Sequence, residues 1–210
     1  MRPAPTPSAT RRMQRVHQAV RELMSEQGFR ISMEAVALRA GCSKQTLYAQ
    51  FGSKQALMRS MMQDHLEQAT AALDDESTDL RQALVAFAIE HLERLSDPAV
   101  LASCQLINAE ARHFPEEARA LFLDGPGRMI ERLGARLLRA MQRGRLRHDD
   151  PHFAAELLLG MIVGSDFERQ RFSVPHRDTD AARRQWAEFA VDAFLRAFAP
   201  VAALRSIHTP

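Results

Sequence analysis

Residues Ala40 to Met58 read AGCSKQTLYAQFGSKQALM. A Gly-Cys-Ser turn leads into a short helical run from Lys44 to Gln50, then a Phe51-Gly52-Ser53 break and a new helical start. Gly41 suits the left-handed residue that ends a helix. Ser43 and Ser53 stand where a side-chain oxygen caps the helix that follows. Upstream, Met13, Val16, Val20, Leu23 and Met24 share one face of a helix that begins near Ala9 and stops at Gly28. Ser32 caps a second helix that turns Val36, Ala37 and Ala40 inward, and the fourth helix runs from Ser53 to about Leu73. Two short helices joined by a tight turn make a helix-turn-helix. In that motif the second helix enters the DNA major groove with its N-terminal residues on base edges.

The side chains fit this use. Gln45 can bond adenine at two points, and the Thr46 methyl can meet a thymine methyl. Lys44 can reach a guanine edge or a phosphate. The Tyr48 hydroxyl and Lys54 suit phosphates, and the helix starts at Ser32, Ser43 and Ser53 add fixed partial positive charge. The competing description is a solvated helix face with Tyr48 at the edge of the core. Charge favours DNA: residues 1–60 hold ten Lys or Arg against three acids, a net +7, while the remainder holds 18 against 23, a net −5. A basic head on an acidic body suits a polyanionic partner for the head alone.

Composition bounds the rest. Good helix formers dominate, 46 % of residues are hydrophobic and only 6 % aromatic, and no stretch alternates like a strand. The expected fold is all-α, with about nine helices: an N-terminal three-helix DNA-binding domain and a C-terminal helical domain for ligand binding and dimerisation. The boundaries are a disordered arm at 1–8, a head at 9–58 whose fourth helix continues as a connector, and a body at 59–210. Cys42 and Cys104 have neither zinc nor CxxC spacing and fit a reducing compartment. The N-terminus lacks the apolar core of a signal peptide. The most apolar run, Leu157 to Gly164, falls well short of the roughly 20 residues that span a bilayer. A cytoplasmic protein without membrane contact is expected.

From about residue 10 to 58 the chain resembles the DNA-binding domain of the tetracycline-repressor (TetR) family of bacterial regulators. The resemblance rests on Ala40-Gly41, on Ser43-Lys44 with Thr46-Leu47-Tyr48, and on Phe51, Ser53-Lys54 and Leu57, in order. Cys42 stands where valine is common, and Gln45 occupies a variable position, so no operator sequence carries over. The resemblance implies a homodimer on a palindromic operator and a small-molecule effector that releases repression. The segment from Asn108 to Asp150, which includes HFPEEARALFLDGPG, is similar to the AefR-like class of C-terminal domains.

In the body, a helix is expected from Pro151 to about Arg169; its FAAELLLGMIVG (Phe153–Gly164) is apolar nearly all round, and the last helix carries a long apolar stripe. Phe153, Leu157, Met161, Trp186, Phe189 and Phe194 are the candidate dimer interface, a four-helix arrangement shared with a second copy; a monomer core is the alternative. Met62, Phe87, His91, Leu95, Cys104, Asn108, Met129 and Leu133 are candidates for an effector cavity or for plain core. His148-Asp149-Asp150-Pro151-His152 reads as a helix cap rather than a metal site. No cofactor is expected, and no catalytic ordering of residues points to an enzyme. The alternative function is a DNA-binding architectural or partner-controlled protein without an inducer.

Overall fold

The computed structural model describes residues 7–200. Among them are eleven α-helices and no strand. They are α1 (Pro7–Gln27), α2 (Met33–Ala40), α3 (Lys44–Phe51), α4 (Lys54–Asp74), α5 (Leu80–Leu95), α6 (Pro98–Glu110), α7 (Pro115–Phe122), α8 (Arg128–Gln142), α9 (Pro151–Val163), α10 (Asp166–Arg171) and α11 (Asp180–Ala197). The arm expected at 1–8 lies largely outside the described residues, and Pro7 and Ser8 belong to α1.

The helix boundaries follow local chemistry. Asp79 accepts the Arg81 and Gln82 amides, Asp97 that of Ala99, Asp150 those of His152 and Phe153, and Thr179 that of Ala182. Each such cap satisfies donors that a helix start leaves open and contributes about 1 kcal/mol. Pro98, Pro115 and Pro151 sit in the first turn, where the missing N–H costs nothing. One boundary departs from expectation. The helix read as continuous from 151 to about 169 breaks at Gly164, whose φ is +54°. A Cβ there would press on Trp186 and Arg177, at 3.0 and 3.1 Å.

The chain forms two compact units that do not follow its linear order: residues 1–64 with 97–124, and residues 65–96 with 125–210. The core of the first gathers Val16, Val20, Leu23, Phe29, Leu47 and Leu57, and Ile107 of α6, Phe114 just before α7, and Ala118 and Leu121 of α7 pack on it. Helices α6 and α7, which a linear division assigns to the body, therefore share a core with the helix-turn-helix. His17, also buried there, has Nδ1 at 3.4 Å from Asp64 and Nε2 at 3.3 Å from Ser60.

The second unit packs Leu84, Phe87, Leu133, Leu137, Leu158, Ile162, Val191 and Phe194, all fully buried. Each such side chain contributes about 1.5–3 kcal/mol. The Trp186 indole N–H donates to the Ile162 carbonyl at 2.7 Å, joining α11 to α9. The Arg177 guanidinium lies 4.1 Å from the centre of the Trp186 ring. Arg136 is buried and donates to the Thr78 carbonyl at 3.3 Å, while Arg139 and Arg143 pair with Glu76. Among the described residues no helix is long and apolar enough to cross a membrane.

His91 stacks on Phe87, with centroids 5.8 Å apart and planes 8° from parallel. Its Nδ1 is buried without a hydrogen-bond partner. Burial, aided by the Arg94 charge, pushes its pKa down from 6.5 to about 4. A folded-state pKa below the unfolded value makes stability complete above the unfolded pKa and lost progressively below it. Acidification to about pH 5 should therefore cost on the order of 2 kcal/mol at this ring. His91→Phe, which keeps the stack and removes the titration, should flatten that loss in chemical denaturation at pH 5 and pH 7.5.

Candidate nucleic-acid interface

The interface is built on three caps and one anchor. The Ser32 hydroxyl accepts the Ala35 amide at 3.1 Å and starts α2. Gly41, at φ +66°, closes it in the left-handed conformation and lets Cys42 N–H return to the Ala37 carbonyl at 3.0 Å. The Ser43 hydroxyl then accepts the Thr46 amide at 3.0 Å and starts α3. Gly52, at φ +77°, ends α3, and the Ser53 hydroxyl accepts the Ala56 amide at 3.1 Å in the first turn of α4. Leu47 is 0 % exposed. It seats α3 on the first core and so decides which face turns outward.

That outward face carries Lys44, Gln45, Tyr48 and Ala49, all exposed and spaced one turn apart. Thr46 is half-buried, and its hydroxyl lies 2.8 Å from that of Ser43, so the cap orients it. Gln50 is exposed and donates to the Met13 sulfur at 3.5 Å, tying α3 to α1.

The cations of the face are not idle. Lys44 pairs with Glu34 of α2 and stands 5.7 Å from the centre of the Tyr48 ring. The hydrogen bond between them holds the Glu34 carboxyl below its usual range and raises the Lys44 ammonium. Arg39 is forked to Glu26 at 2.9 and 3.0 Å, which lowers that carboxyl, and reaches Glu22 at 3.2 Å; Glu22 is lowered first by the Gln18 amide at 2.9 Å and then by Arg39, and the two carboxylates raise the guanidinium. These pairs are solvent-exposed and contribute little stability. Their effect is to choose where the charges stand. Lys54 differs: it is half-buried, and its ammonium donates to the Phe29 carbonyl at 2.9 Å.

Ser32, Ser43, Lys44, Gln45, Thr46, Tyr48, Ser53 and Lys54 thus all fall in one compact unit, and Gln45 and Tyr48 lie open to solvent. Glu34 was not foreseen, because its pairing with Lys44 crosses a turn. The other candidate sets are less uniform. Met62, Cys104 and Asn108 belong to the first unit, with Asn108 exposed. Phe87, His91, Leu95, Met129 and Leu133 belong to the second, where Phe87, Met129 and Leu133 are core. Of the interface candidates, Phe153, Leu157 and Phe189 are 69, 51 and 59 % exposed, while Met161 and Trp186 are half-buried. Phe194 is the exception. It is fully buried in its own unit and stacks on Phe198 at 4.4 Å, so it has no surface left for a partner. Asp150 caps α9 and His152 lies 3.4 Å from Glu156; no group of three or more metal-ligating side chains occurs among the described residues.

Comparison with known proteins adds independent findings. Residues 18–61 match the model for bacterial regulatory proteins of the tetR family. Residues 82–200 match the AefR-like transcriptional repressor C-terminal domain. YezE of Bacillus subtilis (strain 168), an uncharacterised HTH-type transcriptional regulator, is 25 % identical over 146 residues, which is 67 % of this chain and 75 % of YezE. Among solved structures, one from Mesorhizobium loti MAFF303099, described as a TetR-family transcriptional regulator, has a TM-score of 0.71 and 28 % identity, covering 93 % of this chain and all of its own. The flavonoid-responsive regulator FrrA has a TM-score of 0.69 and 34 % identity, covering 92 % of this chain and all of its own.

Ser43→Ala removes the cap of α3 while leaving every outward side chain in place. We expect about 1 kcal/mol of lost stability, measured by urea denaturation.

Proposed function

The chain belongs to the TetR family of bacterial regulators and is a DNA-binding transcriptional regulator; on that premise we propose that it is a homodimeric repressor released from a palindromic operator by a small apolar effector. The observation that carries the reading is α3 itself: a capped helix start with Lys44, Gln45 and Tyr48 facing outward and Leu47 locked inward. Gln45 reads an adenine edge, and Lys44 exchanges Glu34 for a guanine or a phosphate. Two such helices meet successive major grooves about 34 Å apart only if two copies associate. Phe153 and Leu157 on α9 and Phe189 on α11, large apolar side chains open to solvent, are the surface offered to the second copy.

The effector acts by preferring a dimer whose recognition helices stand at the wrong spacing; equal affinity for both arrangements would shift nothing. FrrA, similar along nearly the whole chain, responds to flavonoids by its name, which makes flat polyphenols the first probes to try. The decisive experiment titrates the protein against duplex from upstream of its own gene and against scrambled duplex, at two salt concentrations, with and without a flavonoid panel. Preference for the upstream duplex, lost on adding one compound, supports the reading. Equal binding to both duplexes ends it.

Two substitutions separate base reading from charge. Gln45→Ala should relax discrimination at one base step by about 1–3 kcal/mol, measured by competition with single-base operator variants. Glu34→Gln releases Lys44 and removes a repulsive charge. It should tighten binding to every duplex and steepen the salt dependence by about one counterion, read from the slope of log K against log salt.

A further inference from the structure

Both main-chain polar groups of Phe29 are held by side chains from elsewhere in the fold. The Phe29 N–H donates to Glu110 Oε2 of α6 at 3.0 Å, and the Phe29 carbonyl accepts from Lys54 Nζ of α4 at 2.9 Å. The Glu110 carboxylate is only 13 % exposed, and its other oxygen pairs with Arg30 Nε at 2.8 Å. Phe29 is buried, with its ring 5.9 Å from that of Phe114 just beyond α6. Gly28, at φ +57°, completes the fit, because a Cβ there would run into Glu110 Oε2.

The place of this junction in the chain gives it meaning. Phe29 lies three residues before Ser32, which caps α2; Lys54 lies three residues after Phe51, which ends α3. The bond from Lys54 to Phe29 therefore closes the helix-turn-helix into a loop, gathering both its ends at one residue. Glu110 then fastens that closed end to the last residue of α6. Both bonds are charge-assisted: a half-buried ammonium loses its carbonyl acceptor, and a nearly buried carboxylate keeps Arg30 but loses its amide donor, if Phe29 is withdrawn.

The geometry points to Glu110 as a positioning residue for DNA recognition: with Lys54 it clamps Phe29, so that α6 sets the orientation of α2 and α3. The inference rests on α3 being the recognition helix. It also gives Lys54 a second role, as part of the clamp rather than as a phosphate contact alone.

Glu110→Met removes the acceptor at similar length, and Glu110→Gln restores an acceptor without the charge. The full-length variants are compared on the upstream and scrambled duplexes over a range of salt. We expect Glu110→Met to lose about tenfold in affinity for the upstream duplex, the size of a broken charge-assisted hydrogen bond, with a salt slope steeper by no more than the one counterion that the freed Arg30 adds, and Glu110→Gln to recover most of the affinity. Lys54→Met combined with Glu110→Met should cost less than the sum of the two. An unaltered upstream affinity in Glu110→Met overturns the proposal, as does a strictly additive double variant.

A second readout needs no DNA. Amide exchange at Leu47 to Phe51 should quicken about tenfold in Glu110→Met while the amides of α9 and α11 keep their rates. Should Glu110→Met fail to fold, Glu110→Ala removes the same acceptor without placing a longer apolar chain there and should quicken the same amides. Equal quickening throughout the first unit, or none at α3, overturns the proposal. If the wild-type chain shows no preference for its upstream duplex, the regulator reading fails, and the exchange measurement still decides the role of Glu110.

Discussion

The insertion of Leu47 into the first core is the contact on which the orientation of α3 depends. An eight-residue helix has almost no stability of its own in water. Its existence and its rotation about its axis must come from packing. Leu47 is the buried residue of α3, and every outward side chain is placed by reference to it. A rotation by one residue position, about 100°, would bury Tyr48 or Lys44 and aim Leu47 at solvent. Hydrophobic burial of one residue thus fixes the angle at which Lys44, Gln45 and Tyr48 are presented to solvent.

The polar groups of the face are set by competition. Lys44 is already paired with Glu34, and Arg39 with Glu22 and Glu26. Exposed pairs of this kind are cheap to open, so a phosphate or a guanine can replace the carboxylate. They also lower the charge that a random duplex meets. Sequence preference gains when the sequence-independent attraction is restrained, and a face with its cations partly neutralised is restrained.

Much of this was legible in the sequence, for a physical reason. Caps, left-handed glycines and first-turn prolines act within four residues, so Ser32, Ser43, Ser53 and Asp150 could be placed from the order of residues alone. The inward run of α1 follows from helical periodicity. What escaped was non-local. Nothing in the spacing shows that Glu34 would reach Lys44 across a turn, or that Lys54 would bond a carbonyl 25 residues upstream. The break at Gly164 escaped because a glycine inside an apolar run reads as tolerated, and neither its positive φ nor the closeness of Trp186 and Arg177 is visible in the spacing. Phe194 was placed at an interface because a long stripe does not separate the part facing the core from the part facing outward.

The association of α6 and α7 with the head changes the electrostatic account. Residues 1–64 carry a net +6, counting the +7 of residues 1–60 and Asp64. Residues 97–124 add Asp97, Glu110, Glu116, Glu117 and Asp124 against Arg112 and Arg119, a net −3, so the unit as folded carries +3. Glu110 spends its charge inward on Arg30 and the Phe29 amide, and Asp124 spends its own on Arg59 at 2.9 Å. Acids recruited from a distant part of the sequence therefore fasten the same basic helices that linear counting treats as a free polycation. The +7 therefore overstates the net charge of the folded unit, and two of the added acids, Glu110 and Asp124, are held in internal bonds to Arg30, the Phe29 amide and Arg59.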